Sequence, residues 1–458
     1  MSNSISSNKN INSLSNLNQE EFNKEEIRES RKSHFNEFIS HAPLSDKIEI
    51  ATLRIKEFLE WCEDRDYKEI LISFSGGKDS TVLLDIVLKV HKEMNCKIYL
   101  VPAYAIEITF PETIKFIKST VEKYREKYEY LKLPLLVPPK MSWNKILKIK
   151  GFPIFSKQVS VMINRLKNAN TANNLTRWAF GIYETARFKL SKNRLFLLDE
   201  DLTYFEDDQG NRIQYDFSEK CCDYVKGGLK HDKRPSFVGT MADESLLRKK
   251  SWIDNGCNVF NSKHPVSRPL SIWNYNNVWE YIKIYKLDIN EVYGYDKETH
   301  NIDNLRFTRL GCSACPFGST FEEVIHRRVS SNDKLSEDKK HWNRFEKLYE
   351  YNNILYQSQV IKTNMIYILI DMDIKVRNDP YYMKIYYERR KKIDEWYENF
   401  RENLVKVLIK VESNKKNKQN WKYSIDEINK ALKHYNVNQP IDKNELEKLR
   451  KKYSKMSN

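Results

Sequence analysis

The sequence predicts an α/β fold built on a parallel sheet, followed by a helical C-terminal extension. Three observations carry this reading. Short β-rich runs alternate with amphipathic stretches between residues 46 and 124, and a glycine turn joins the first such strand to its helix. Past about residue 320 the pattern is helical and rich in Tyr, Trp and Lys.

Residues 1–40 are expected to be disordered, since "MSNSISSNKNINSLSNLNQ" is Ser/Asn-rich and offers little to bury. The same stretch lacks the apolar core of a secretory signal, so a cytoplasmic protein is expected. "DKIEIATLRIKEFLEWCE" (46–63) then spaces its apolar residues as a helix does. "KEILISF" (68–74) is a β-rich run, and "DSTVLLDIVLKVHKE" (79–93) is an apolar-faced helix. "KIYLVPAY" (97–104) and "FPETIKFIKSTVEKY" (110–124) repeat strand and helix, and "LKLPLLVPP" (131–139) supplies a third strand. Helices between strands at this spacing serve as crossovers, which makes the pairing parallel.

Residues 141–190 are mixed and mostly helical in pattern. "NRLFLLDEDLTYFEDDQGNRIQYDF" (193–217) reads as a hairpin closing at Gln209-Gly210-Asn211. "RPSFVGTMADESLLRKKSW" (234–252) reads as strand, polar turn and helix, and "SIWNYNNVWEYIKIYKL" (271–287) as an amphipathic helix. Asp379-Pro380 marks a helix start, an N-cap before Pro at the first helical position. The expected organisation is therefore an α/β domain over 41–350 with an insertion near 141–217, then a basic, aromatic helical region over 351–458.

No apolar run approaches the roughly 18 residues that span a bilayer, so no membrane partner is expected. The formal net charge is +15, and residues 321–458 hold 30 Lys/Arg against 21 Asp/Glu. That excess and the aromatics of "NRFEKLYEYNNILYQ" and "DPYYMKIYYERRKKIDEWYENF" would suit a nucleic-acid partner. Their helical spacing equally assigns those aromatics to the core of a helical cap.

The chemistry concentrates in "ISFSGGKDSTVLL" (72–84). A helix N-terminus offers unpaired amides and the positive end of its dipole, which together hold an anion. Gly76 and Gly77 allow the turn, Ser75 and Ser80 add hydroxyls, and Lys78 adds charge. Asp79 repels phosphate unless it binds Mg²⁺ or caps the helix. The spacing is not that of a Walker A loop.

Four of the seven cysteines pair up in sequence, Cys221-Cys222 and Cys312-x-x-Cys315, the latter followed by Pro316. Four thiolates can ligate a [4Fe–4S] cluster completely, and tetrahedral Zn²⁺ is the competing metal. Adjacent cysteines favour the cluster, because their sulfurs can reach different irons. Cys62, Cys96 and Cys257 stand alone, Cys62 as a small core residue.

"SGGKDS" after a strand resembles the pyrophosphate loop (PP-loop) of the adenine-nucleotide α-hydrolase-like superfamily. Combined with Cys-Cys and Cys-x-x-Cys, it resembles the iron–sulfur branch of the phosphoadenosine phosphosulfate (PAPS) reductase family. "FPETIKF", "GTMADESLLR" (239–248) and "RPLSIWNYNNVWEYI" (268–282) are similar to further family segments, and the likeness covers roughly residues 48–350. The resemblance implies a PP-loop-type parallel sheet, with ATP or a sulfonucleotide bound at Ser75–Ser80. It also implies catalytic work for Lys78, Asp79 and Arg248, a cluster on Cys221, Cys222, Cys312 and Cys315, and an external electron or sulfur donor. His264 and Arg268 flank the Pro-Leu segment, His264 with a structural reading beside the catalytic one.

Three departures stand against it. Met241 replaces an arginine of the family segment, and Ala105-Ile106-Glu107 replaces an Asp-Thr-Gly before "FPET". No cysteine follows Cys315, where the reductases carry a C-terminal Glu-Cys-Gly. These shift the expectation toward ATP-dependent sulfur transfer, as in DNA-phosphorothioation sulfurtransferases. A non-catalytic nucleotide- or nucleic-acid-binding component is the alternative from another class.

Overall fold

The computed structural model describes residues 24–37, 39–106, 109–139, 141–168, 174–183, 189–206, 209–214, 216–225, 232–302, 305, 309–312, 317, 380–413 and 421–454. The chain divides into two compact units, Met1–Pro138 with Gly228–Leu310, and Pro139–Gly227 with Gly311–Asn458. Among the described residues, helix α1 covers 24–37. It is followed by α2 (Leu44–Glu63), β1 (Glu69–Ser73), α3 (Lys78–Glu93), β2 (Tyr99–Ala105), α4 (Pro111–Arg125) and β3 (Leu135–Val137). Then come α5 (Trp143–Lys150), α6 (Lys157–Lys167), α7 (Asn174–Ala179), β4 (Tyr204–Glu206), β5 (Arg212–Gln214) and α8 (Cys221–Val225). The chain continues through β6 (Ser236–Phe237), α9 (Leu246–Asn255), β7 (Asn258–Val259), β8 (Val266–Ser267) and α10 (Tyr275–Tyr285). It closes with α11 (Pro380–Glu398), α12 (Phe400–Glu412), α13 (Ile425–His434) and α14 (Lys443–Ser454).

The first unit is the α/β fold that the alternation predicts. Its sheet runs β3-β2-β1-β6-β8-β7, parallel except for the β7–β8 pair. β1 is central, pairing Leu71 with Val101 on one side and with Ser236 on the other. Ile70, Leu71 and Ile72 are all buried, as a parallel strand covered on both faces requires. Ile70 and Ile72 join the main core with α2 and α3, whereas Leu71, Val101 and Ala103 form a small cluster of their own.

The N-terminal reading needs correction. Residues 24–37 are helical, and Phe35 and Ile39 are buried in the first unit's core. Phe35 meets Trp252 edge-on at 5.6 Å, and Arg28 donates to Asp254 at 3.0 Å. A few apolar residues among many polar ones suffice to dock a helix when the core supplies their partners. Residues 1–23 lie outside the described residues.

In the second unit the insertion and the C-terminal helices pack together, although the sequence placed them in separate regions. Phe180 meets Tyr423 at 6.2 Å, Arg177 pairs with Glu427, and the Tyr435 hydroxyl donates to the Leu190 carbonyl at 2.8 Å. The expected hairpin is present but shorter, as β4 and β5. Lys192–Leu198 is a 3₁₀ turn whose four buried residues Leu195–Leu198 face the core continuously rather than alternately. Tyr386, Trp396 and Phe400 are buried, so these C-terminal aromatics are core residues. "NRFEKLYEYNNILYQ" lies outside the described residues. Among the described residues no helix is long and apolar enough to cross a membrane.

Asp199 ties this unit together. Its side chain is 1% exposed and accepts from Lys406 Nζ at 2.9 Å and Trp396 Nε1 at 3.0 Å. Burial alone would raise its carboxyl, but Lys406, then Lys410 and Trp396, hold it below the ordinary range. A depressed carboxyl contributes stability above its unfolded value, about 3.9, and loses it as pH falls through the folded value. Asp199→Ala leaves Lys406 with the exposed Asp201 alone, at 2.6 Å, and takes the acceptor from the buried Trp396 Nε1, which should cost about 1–3 kcal/mol at neutral pH. In urea unfolding followed from pH 7 into acid, the gap between Asp199→Ala and the parent protein should narrow below about pH 4. A constant gap across that range would show that ionisation of Asp199 is irrelevant.

Candidate functional site

The loop that singles itself out in the sequence joins β1 to α3. Phe74 still donates to the Ala103 carbonyl at 3.1 Å, so the turn starts from a sheet-anchored position. Gly76 follows with φ +70°. A Cβ there would lie 3.0 Å from Thr113 Cγ2 and 3.1 Å from Ile117 Cγ1, so conformation and space both demand glycine. Gly77 is the N-cap of α3, with extended backbone and no capping side chain. Its carbonyl accepts the Thr81 amide at 2.9 Å and the Ser80 hydroxyl at 2.8 Å. The first-turn amides of Asp79 and Ser80, which helix geometry leaves without a carbonyl, sit at the positive end of the dipole. The Ser75 and Ser80 hydroxyls lie 3.2 Å apart at the same turn.

Charge is balanced locally. The Lys78 side chain is 4% exposed and donates from Nζ to Asp79 Oδ1 at 2.8 Å. Neither Mg²⁺ nor capping is therefore needed to hold the Asp79 carboxylate here. Lys78 Nζ also lies 5.0 Å from the centroid of the Tyr275 ring. Gly239, just past β6, brings a second segment to the loop: a Cβ there would come within 3.1 Å of the Asp79 carbonyl oxygen.

That segment leads into α9, where the Ser245 hydroxyl caps the Arg248 amide at 3.3 Å. The Arg248 guanidinium pairs with Glu244, which also faces Arg309 at 3.5 Å. Burial, followed by the cations Arg309 and Arg268, lowers Arg248 to about 10, while Asp79 works in the opposite direction. Arg248 thus shares the field of the loop. These groups gather beyond the C-terminal ends of parallel strands, where open α/β sheets bind ligands.

A profile of the phosphoadenosine phosphosulfate reductase domain matches residues 69–317. The chain belongs to this family. No curated protein matches the chain.

Within a PAPS-reductase family chain the cysteines are the next question. Cys221 is buried on α8, Cys222 and Cys312 are half-buried, and all three belong to the second unit. Cys315 lies outside the described residues. Among the described residues no three His, Cys, Asp or Glu side chains gather as a metal group. Cys62, Cys96 and Cys257 are buried in the first unit, and burial pushes their thiols up, Cys62 and Cys96 to about 12. Such thiols are poor nucleophiles. His264 is exposed, and its ring Nδ1 lies 2.6 Å from the Asp232 carbonyl oxygen, which supports its structural reading.

Tyr293 was not legible as a site residue. Its hydroxyl accepts the Lys78 amide at 3.0 Å and is also hydrogen-bonded to the backbone of Leu310. The residue is 1% exposed, and a Cβ on Gly77 would lie 3.5 Å from its hydroxyl. Nothing in "NEVYGYD" marks it, because the contact is 215 residues away in sequence. Tyr293→Phe keeps the ring's edge-on packing on Trp279 but removes the acceptor of a buried amide. It should destabilise the protein by about 1–3 kcal/mol in chemical denaturation. An unchanged midpoint would mean that the Lys78 amide finds another acceptor.

Proposed function

We propose that this chain is an enzyme of sulfur chemistry that binds an adenine nucleotide, ATP or a sulfonucleotide, on the loop Ser75–Ser80. The observation that carries the reading is the uncapped start of α3 with Gly76 at φ +70°, beside the buried cation Lys78. Ser75, Gly76, Gly77 and Ser80 would contact phosphate oxygens. Lys78 would exchange Asp79 for phosphate, which frees Asp79 to hold the Mg²⁺ that accompanies ATP. Arg248 would add an anion contact by sharing its guanidinium between Glu244 and the ligand. Membership of the family supports sulfur chemistry; the choice between reducing a sulfonucleotide and transferring sulfur at the expense of ATP belongs to this proposal.

Cys221, Cys222, Cys312 and Cys315 would hold a [4Fe–4S] cluster, whose chemistry is the relay of electrons or sulfur from an external donor. The high-lying thiols of Cys62, Cys96 and Cys257 leave those four as the better ligands, and Zn²⁺ remains the rival occupant of a four-thiolate set. A sulfurtransferase of the DNA-phosphorothioation type is one form of this reading. A non-catalytic nucleotide-binding component is the rival from another class, and conversion of ATP to AMP or reduction of a sulfonucleotide separates the two.

Two measurements test the proposal. Calorimetric titration with ATP, adenylyl sulfate and its 3′-phosphorylated form should show binding of at least one. Lys78→Ala should weaken it by roughly tenfold or more, the loss of a charge-assisted contact, with circular dichroism unchanged. Equal binding by Lys78→Ala would sink the loop assignment. Anaerobically purified protein should carry iron and sulfide in equal amounts, roughly four of each per chain. Changing Cys62, Cys96 and Cys257 together to Ala should leave both contents unaltered, while loss of any one of the other four should lower them. Protein with one zinc and no sulfide would replace the cluster with a zinc site.

A further inference from the structure

Helix α11 of the second unit carries four consecutive cations, and they are treated in two different ways. Arg390 and Lys391 each face a carboxylate one turn on, Asp394 at 3.9 Å and Glu395 at 3.8 Å. Arg389 and Lys392 turn instead to Tyr204 of β4. The Arg389 guanidinium stacks 3.8 Å from the Tyr204 ring centroid and donates from Nη2 to the Tyr204 carbonyl at 3.3 Å. Lys392 Nζ donates to the Tyr204 hydroxyl at 2.9 Å. A third cation, the exposed Arg212 of β5, lies 4.4 Å from the same ring centroid. Among the described residues none of these three makes an ion pair.

The imbalance has a cost. Arg389 is only 7% exposed, and its Nη1 is buried without a hydrogen-bond partner. A buried guanidinium lacking both a carboxylate and a full set of acceptors is destabilising unless something else satisfies it. The field is felt by Tyr204 itself: burial would raise its phenol, yet Lys392, Arg389 and Arg212 together bring it below the usual value. Lys392 and Arg212 are the two cations of this group that an anion from solvent can reach.

We propose that the exposed Lys392 and Arg212, which meet at the Tyr204 ring with the field of the buried Arg389 added to theirs, form a site for a phosphate group of a nucleic-acid strand. The spacing i, i+3 puts Arg389 and Lys392 on one face of α11. A guanidinium fork beside an ammonium suits a phosphate, which offers several acceptor oxygens. The strand as its source is argued from the charge of the sequence, 30 Lys/Arg against 21 Asp/Glu over residues 321–458. Free phosphate would need one such site, whereas a strand also draws on cations beyond it. The site lies wholly in the second unit and is independent of the reading of the nucleotide loop.

Fluorescence anisotropy of the full chain with short labelled single strands and duplexes, at several salt concentrations, tests this. Lys392→Gln, an exposed change that spares the fold, should weaken binding about fivefold or more, and Lys392→Arg should restore it. Arg212→Gln with Lys392→Gln should lower the salt slope by about one to two, since each cation removed leaves about one phosphate with its counterions still bound. Lys391→Gln, whose ammonium is already paired, should stay within about twofold. Equal losses for Lys391→Gln and Lys392→Gln would reduce the patch to general surface charge and overturn the site. So would absence of binding in the parent protein. Complete displacement of the strand by millimolar inorganic phosphate at constant ionic strength would overturn nucleic acid as the source.

Discussion

The first unit depends on the fixed position of helix α3. Asp85, in the middle of that helix, is buried and accepts the Tyr281 hydroxyl at 2.8 Å, the Tyr124 hydroxyl at 3.2 Å and Lys89 Nζ at 2.7 Å. One carboxylate thus holds α3 to α10, to α4 and to its own next turn. Leu83, Leu84, Val87 and Leu88 bury the rest of the helix against the sheet layer. A helix held this firmly cannot relax its N-terminus toward solvent. Its first-turn amides and dipole stay directed at the glycine turn, and the site inherits its geometry from packing that lies some distance from it.

Local patterns were legible wherever one sequence segment decides one element. The run from β1 to α4 is a case in point, because period-2 and period-3.6 apolar spacing are properties of a few consecutive residues. The loop was legible for the same reason: Gly76 must be glycine in any strand-to-helix turn of this shape. What escaped were features created by partners distant in sequence. The helix over 24–37 exists because Trp252 and Asp254 receive it, and β7 and β8 are two-residue strands that only pairing defines. Tyr293 belongs to the same class, since its hydroxyl acquires meaning only opposite the Lys78 amide.

The pairing of the insertion with the C-terminal helices escaped for a related reason. The insertion and the C-terminal helices each expose an apolar face in sequence, and neither face announces its partner. Trp396 and Lys406 find Asp199, and Arg450 finds Glu412 at 2.7 Å. A buried carboxylate of this kind cannot be recognised before its cations are known, because a lone Asp in sequence reads as surface. The cysteines show the complementary limit. Their spacing names the donor set, but spacing says nothing about convergence, and Cys315 lies outside the described residues.

The candidate site also explains why acidic residues belong beside an anion loop. Lys78 is too buried to stand alone and has Asp79, while the half-buried Arg248 shares Glu244 with Arg309. Such pairs stabilise the folded chain, since an unpaired buried cation costs more than the pair. They also set a condition on any ligand. A phosphate can enter only by offering these cations at least as much as the carboxylates do, and it does so with more oxygens and more charge. Under the proposed function, weak anions would fail that exchange and polyphosphates would pass it, so that the internal ion pairs would act as a selectivity filter. Met241 in place of a family arginine fits the same reading, because one cation fewer would leave the loop itself, rather than a surrounding basic shell, as the principal anchor of the proposed nucleotide.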